Sequence, residues 1–302
     1  MAWDKSSSES LEFTAWLSRS LPVTVSVVAE APRSWTKSLS PKKYSKWLAT
    51  ETEKITSRAL SSLKSHIPRT LWAQEPCSLV DVDAERSAVV AAAREAGADL
   101  IVFNSNAKLS QARFLASSIA DELMHSSPLP LGLTPKGVKL SKKGITRVNF
   151  VFLRAGTDRD TSGLASAARL AAHLGVPLRL ISLLPEMPSE DELDATIGPA
   201  AGMTHSHEAS LSLLDVARDE AYAAATEFRP ACSDLFELET AVASGNGWEK
   251  AVSAVKWKKG DLICLGSHPT AQRRRVLVGS RASEFLRYAP APVIVFPRHE
   301  AE

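Results

Sequence analysis

The chain has 302 residues, 44% of them hydrophobic and 23% charged, and carries a formal net charge of +2. That length accommodates two domains of roughly 150 residues each, and so small a charge gives no electrostatic reason to expect nucleic acid or a membrane surface as a partner. No stretch approaches the ~18 uninterrupted apolar residues of a bilayer span, Met1-Ala2-Trp3-Asp4 opens no basic-then-apolar secretory signal, and Cys77, Cys232 and Cys264 are isolated thiols without metal spacing, a usage that suits a reducing, cytoplasmic setting.

In chain order, apolar spacing predicts a strand over Val23–Val28, a helix from about Lys42 to Leu63 and a strand over Trp72–Val80. A helix over Glu85–Glu95, a strand over Asp99–Phe103, a helix over Ser117–His125 and a short strand at Leu131–Leu133 follow. Residues 136–147 hold Lys136, Lys139, Lys142, Lys143 and Arg147 and read as a solvated connector, with a basic docking arm as the sharper alternative. Beyond them come a strand over Val148–Leu153, a helix over Ser162–Leu174 stopped by Gly175, and a strand over Leu178–Leu184. A proline- and acid-rich loop from Pro185 to about Thr204 precedes a helix over Leu211–Phe228, closed by Pro230. A strand over Leu235–Val242 and a helix over Trp248–Lys258 lead to a buried strand, Leu262–Leu265. After a basic loop a helix opens at Gly279-Ser280, and Pro290 and Pro292 bracket a break before an all-apolar strand, Val293–Phe296. Strands alternating with helices argue for an α/β fold with parallel sheets covered on both faces.

Sliding the sequence against itself by 162 positions sets Asp99-Leu-Ile-Val-Phe on Asp261-Leu-Ile-Cys-Leu without a gap. In the same register Arg113 meets Arg275, Leu115 meets Leu277, Ser118 meets Ser280, and Pro128, Pro130 and Pro135 meet Pro290, Pro292 and Pro297. A register held over so many residues reads as two copies of one domain, residues 1–135 and 148–302, joined by the basic linker 136–147.

The stretch Gly266-Ser-His through Gly279-Ser280 has the spacing of a glycine-rich signature, Gly, two residues, Gly, nine residues, Gly-Ser, and the Ala-Pro-Val-Ile-Val-Phe ending matches the strand that follows it. On these residues the chain resembles the universal stress protein family. The resemblance implies that each copy is a Rossmann-like domain of the adenine nucleotide alpha hydrolase-like type, a five-stranded parallel sheet of order 3-2-1-4-5. It further implies an adenine nucleotide, ATP, held by Gly266, Ser267, Gly279 and Ser280; by their charge Arg273, Arg274 and Arg275 are candidates to lie near the phosphates, with an exposed basic loop as the alternative.

Two departures weigh against that ligand. Pro269 replaces the second glycine and has no N–H to donate; losing one charge-assisted donor costs on the order of 1.5–3 kcal/mol, roughly ten- to a hundredfold in affinity. Where the family places an aspartate on the base, the second copy has Arg154-Ala155-Gly156, with Asp158 and Asp160 further into the loop. The first copy keeps Asp4 but has Asn104-Ser-Asn-Ala107 and Ser117-Ser118 in place of the glycines. Only Met1, Ala2 and Trp3 precede Asp4, so the first strand of that copy is expected to be truncated, or the natural polypeptide to begin upstream of Met1.

No G-x-S-x-G or G-x-x-x-x-G-K-S pattern is present, His205-Ser-His207 has no third metal ligand in view, and no catalytic residue or metal site is assigned. The leading reading is a regulatory binding module without turnover. Leu131-Gly-Leu133 is the expected partner for the apolar edge Val293–Phe296, making an internal pseudo-dimer, with a further homodimer left open. Two alternatives stay open: a nucleotide-free scaffold that docks a protein through the loop Pro185–Thr204, and a nucleotide-hydrolysing or adenylating enzyme on the same fold.

Overall fold

A computed structural model describes residues 8–31, 41–81, 88–106, 113–153, 161–186, 199–230, 236–268, 270 and 274–298. In the C-terminal half the elements are β5 (Arg147–Phe152), α5 (Thr161–Leu174), β6 (Leu178–Glu186), α6 (Pro199–Phe228) and β7 (Leu238–Asn246), then α7 (Gly247–Ser253), β8 (Asp261–Leu265), α8 (Ser280–Leu286) and β9 (Val293–Val295). Their strands lie in the order β9-β8-β5-β6-β7 with every ladder parallel, which is 3-2-1-4-5 counted within this half. All residues of β5 and β8 are buried, as befits the two central strands of a sheet covered on both faces. The alanine face of α5, Ala167, Ala168, Ala171 and Ala172, is no more than 1% exposed, and small side chains let that helix sit close on the sheet. Gly175, at φ 63°, ends it.

Several boundaries differ from the sequence expectation. The helix α6 begins at Pro199 and not near Leu211, which puts His205 and His207 inside it and shortens the loop ahead of it. Proline suits that first helical position because the N–H it lacks has no acceptor there. The strand β7 starts later, at Leu238, and runs on to Asn246, while α7 stops at Ser253. Trp257 therefore lies beyond the helix that was to carry it, and its indole N–H donates to Val252 O at 2.8 Å.

The N-terminal half opens with α1 (Glu9–Leu17), a helix the apolar spacing did not single out, followed by β1 (Val25–Glu30), α2 (Pro41–His66) and β2 (Trp72–Val80). Next come α3 (Ala88–Glu95), β3 (Ile101–Asn104), α4 (Ser118–Ser126) and β4 (Leu131–Thr134). These strands do not form one five-stranded sheet: β1 and β2 pair in a separate two-stranded sheet, while β3 and β4 extend the larger sheet to seven strands. The truncated strand expected ahead of Asp4 lies outside the described residues, and among those described no ladder joins β1 to β3. The central position of a 3-2-1-4-5 order is the one that would connect them.

The two halves meet where β4 pairs antiparallel with β9, Leu131 opposite Val295, Gly132 opposite Ile294 and Leu133 opposite Val293. This is the pairing of the two segments that their composition suggested. Leu131, Leu133 and Val293 are fully buried. Main-chain bonds from Val276 N to Ser127 O, Val278 N to Met124 O and Arg113 N to Arg287 O add to the joint. The ring of Phe13, from α1, lies on Gly132, where a Cβ would come within 3.0 Å of Phe13 Cε1.

The linker is more than a solvated tether. Lys136, Lys139, Lys142 and Lys143 are exposed, but Ser141 N donates to Lys259 O, Ile145 N to Ser20 Oγ, and Arg19 Nη1 to Ser141 O. Arg147, counted with the linker by its charge, is the buried first residue of β5. Its Nε and Nη2 grip both oxygens of the fully buried Asp261 at 3.0 and 2.9 Å. Arg179 donates to Asn149 Oδ1 and to Lys256 O, lies over the Trp257 ring and stands 3.7 Å from Asp261 Oδ2. Burial and the neighbouring Arg147 pull the Arg179 guanidinium below its usual range, against the upward pull of Asp261 and Glu239. Removing one partner of a buried ion pair leaves the other charge uncompensated. Asp261→Asn is therefore expected to lower unfolding free energy by about 3 kcal/mol, and Glu239→Gln, at an exposed carboxylate 3.7 Å from Arg147, by less than about 1 kcal/mol; urea denaturation of the two variants checks the contrast.

Candidate functional site

In a doubly wound sheet the ligand crevice lies outside the carboxyl ends of the two strands at which the order reverses. Here those strands are β5 and β8, which lie side by side. The chain leaves β8 through Gly266 and leaves β5 at Leu153. Gly163, in the first turn of α5, lies so close that a Cβ on it would stand 2.6 Å from Gly266 Cα. Helix and strand end thus touch through main chain alone, and no side chain from either glycine fills the floor of the crevice.

The next residues form a clasp. Ser267 is 3% exposed; its Oγ donates to Phe296 O at 2.7 Å and accepts from Leu277 N at 3.3 Å. His268 N donates to Leu277 O at 2.7 Å. The same clasp closes the corresponding loop in the N-terminal half, where Leu115 N donates to Ser105 Oγ and Asn106 N to Leu115 O. Lys136 N to Arg113 O likewise repeats as Arg298 N to Arg275 O. The Ser267 hydroxyl thus holds the turn through both bonds.

Gly279 is extended, at φ −72° and ψ 170°, and leads into α8. A Cβ on it would stand 2.6 Å from His268 Cδ2, so glycine leaves room for the imidazole. Thr270 N donates to His268 Nδ1 at 3.3 Å and Thr270 Oγ1 lies 2.8 Å from it, which places the proton of a neutral ring on Nε2. Ser280 is exposed as the first residue of α8. Arg275 is exposed as well, and its main chain is tied to Arg298 on the β9 side of the loop. Pro269, Arg273, Arg154, Ala155, Gly156, Asp158, Asp160 and, in the first copy, Asp4 and Ala107 lie outside the described residues.

Sequence reasoning passed over Arg281. It stands in the first turn of α8, where the helix dipole disfavours a cation by roughly 0.3–1 kcal/mol, and that misplacement is the signal that could have found it. Its Nη1 donates to Leu153 O at 3.2 Å, at the carboxyl end of β5.

The matching place in the N-terminal half is built differently. Asn104 stands where Gly266 stands, is 8% exposed, and its side-chain carbonyl accepts from the backbone N–H of Ser10 in α1. A side chain occupies the position at which the C-terminal half presents bare main chain. Among the described residues no three His, Cys, Asp or Glu side chains gather as a metal site, and no described helix is long and apolar enough to cross a membrane. Burial pushes the thiol of Cys264 far above its ordinary range and that of half-buried Cys77 upward too, so Cys264 is a packing residue.

A model of the universal stress protein family matches residues 155–297. Universal stress proteins of Mycobacterium tuberculosis H37Rv and Mycobacterium bovis are each 29% identical to the chain over 203 residues, 67% of this chain and 65% of theirs, so the chain spans just under two thirds of the length of these curated relatives. The crystal structure of a universal stress protein from Archaeoglobus fulgidus aligns over 98% of this chain and 97% of its own, with a TM-score of 0.62 at 15% identity, a likeness of fold.

The contact between Gly163 and Gly266 opposes two effects of known size. Alanine in a helix is favoured over glycine by about 1 kcal/mol, whereas forcing a methyl against main chain costs about 1–3 kcal/mol. Gly163→Ala is expected to lower the melting temperature, and Ser267→Ala, which strands the Leu277 N–H and the Phe296 carbonyl, to cost about 1–3 kcal/mol; thermal unfolding followed by circular dichroism reads both.

Proposed function

From a chain whose residues 155–297 carry a universal stress protein domain, we propose a regulatory nucleotide-binding protein with one adenine-nucleotide site, in the C-terminal half, and no chemical step of its own. The observation that carries this reading is the difference between the two strand ends: Gly163 and Gly266 meet through main chain in one, and the Asn104 side chain stands between strand and helix, bonded to the Ser10 N–H, in the other. A glycine at the strand end lets a phosphate come close to neighbouring backbone N–H groups, and a side chain in that position keeps it away.

In this reading the two copies, residues 1–135 and 148–302 with the linker 136–147 between them, have diverged in role. The second holds ATP; the first supports it through β4 and the main-chain bonds from Ser127 and Met124. Gly266 and Gly279 admit the phosphates, the exposed hydroxyl of Ser280 donates to one of them, and Ser267 keeps the turn in shape. Arg275 adds positive charge to the loop without a fixed contact. The edge of β9 is occupied by β4, so that strand is not free to build a homodimer. Isolated thiols, Cys264 buried and Cys77 half-buried, fit a protein that works in a reducing cytoplasm.

Calorimetric titration with Mg-ATP is expected to give one site per chain. Ser280→Ala is expected to weaken binding about tenfold, the factor for one hydrogen bond to a charged group, with the melting temperature of the free protein unchanged. Phosphate release during the titration would point to a hydrolase, and two equivalent sites would contradict a single site in the C-terminal half.

A further inference from the structure

The guanidinium of Arg281 is held by a neutral acceptor although the chain offers an acid nearby. Its Nη1 donates to the carbonyl of Leu153 at 3.2 Å in an exposed bond, while Glu284, one turn further along α8, faces Arg287 at 3.6 Å. Leu153 is where the chain leaves β5, and α8 is reached from the end of β8. The side chain therefore ties the first turn of α8 to the carboxyl end of β5. A cation in the first turn of a helix runs against the local dipole, so the position does little for the helix itself. An exposed bond to one carbonyl oxygen is readily exchanged, and a phosphate is the stronger acceptor for a guanidinium because it is charged and can take two parallel N–H bonds.

Resting on the nucleotide reading above, we propose that Arg281 selects for phosphate: it exchanges the Leu153 carbonyl for a phosphate of a nucleotide lying over Gly266, so that the site favours nucleoside di- and triphosphates over the nucleoside.

The test is calorimetric titration of the full chain and of Arg281→Ala and Arg281→Lys with ATP, ADP and adenosine at one ionic strength. Wild type is expected to bind ATP more tightly than adenosine; Arg281→Ala is expected to lose about tenfold for ATP with adenosine unchanged, and Arg281→Lys to recover only part of the loss. ATP affinity in Arg281→Ala within twofold of wild type overturns the proposal, as does an equal loss for ATP and adenosine, which would mark a structural role. If wild type binds none of the three, the nucleotide reading has failed and this inference falls with it, an outcome distinct from binding that ignores Arg281.

Discussion

The fold depends on three residue pairs between β4 and β9. Each strand alone would be the edge of its own sheet, short, apolar and with a row of unpaired main-chain groups, the kind of edge that invites association with another chain. Pairing them antiparallel removes both edges and turns two sheet fragments into one seven-stranded sheet. The central pair, Gly132 opposite Ile294, joins positions related by the same offset as the rest of the repeat. That is the geometry of a self-complementary two-fold interface drawn inside one chain. The symmetry breaks at this pair because Phe13 lies on Gly132 and leaves no room for a second isoleucine there.

The two ends of β5 and β8 divide the labour of the C-terminal half. At their amino ends, Arg147 and Arg179 converge on Asp261 and on the carbonyl of Lys256. Such a network adds little net stability over a well-packed apolar core, but it is intolerant of the loss of one member; it fixes the register of β5 on β8 and anchors the linker's exit. At their carboxyl ends the contact between Gly163 and Gly266 strips side chains away. One end is locked by charge and the other by a close main-chain contact.

Divergence between the copies follows from a few positions. Ser105 and Ser267 make the same clasp with Leu115 and Leu277, so the turn after the fourth strand of each copy survives intact. What differs is the residue just before it. Asn104 uses its side chain to hold the N-terminus of α1; Gly266 has no side chain to use, and α5 comes down on main chain. In the N-terminal half α1 is anchored as well by Phe13 and Trp16, which are fully buried.

By itself the sequence determined the alternation of strands and helices and the pairing of Leu131–Leu133 with the edge Val293–Phe296, which the ladder takes up over Val293–Val295, because hydrophobic periodicity is local and survives in one dimension. It misjudged residues whose role is set by what meets them across the fold. Arg147 reads as linker charge until Asp261 is seen beneath it, and Arg281 as an ordinary surface residue until Leu153 is placed opposite. The splitting of the N-terminal strands into two sheets was likewise a matter for tertiary structure, since a strand's partners are chosen by long-range hydrogen bonding and leave no mark in its own residues.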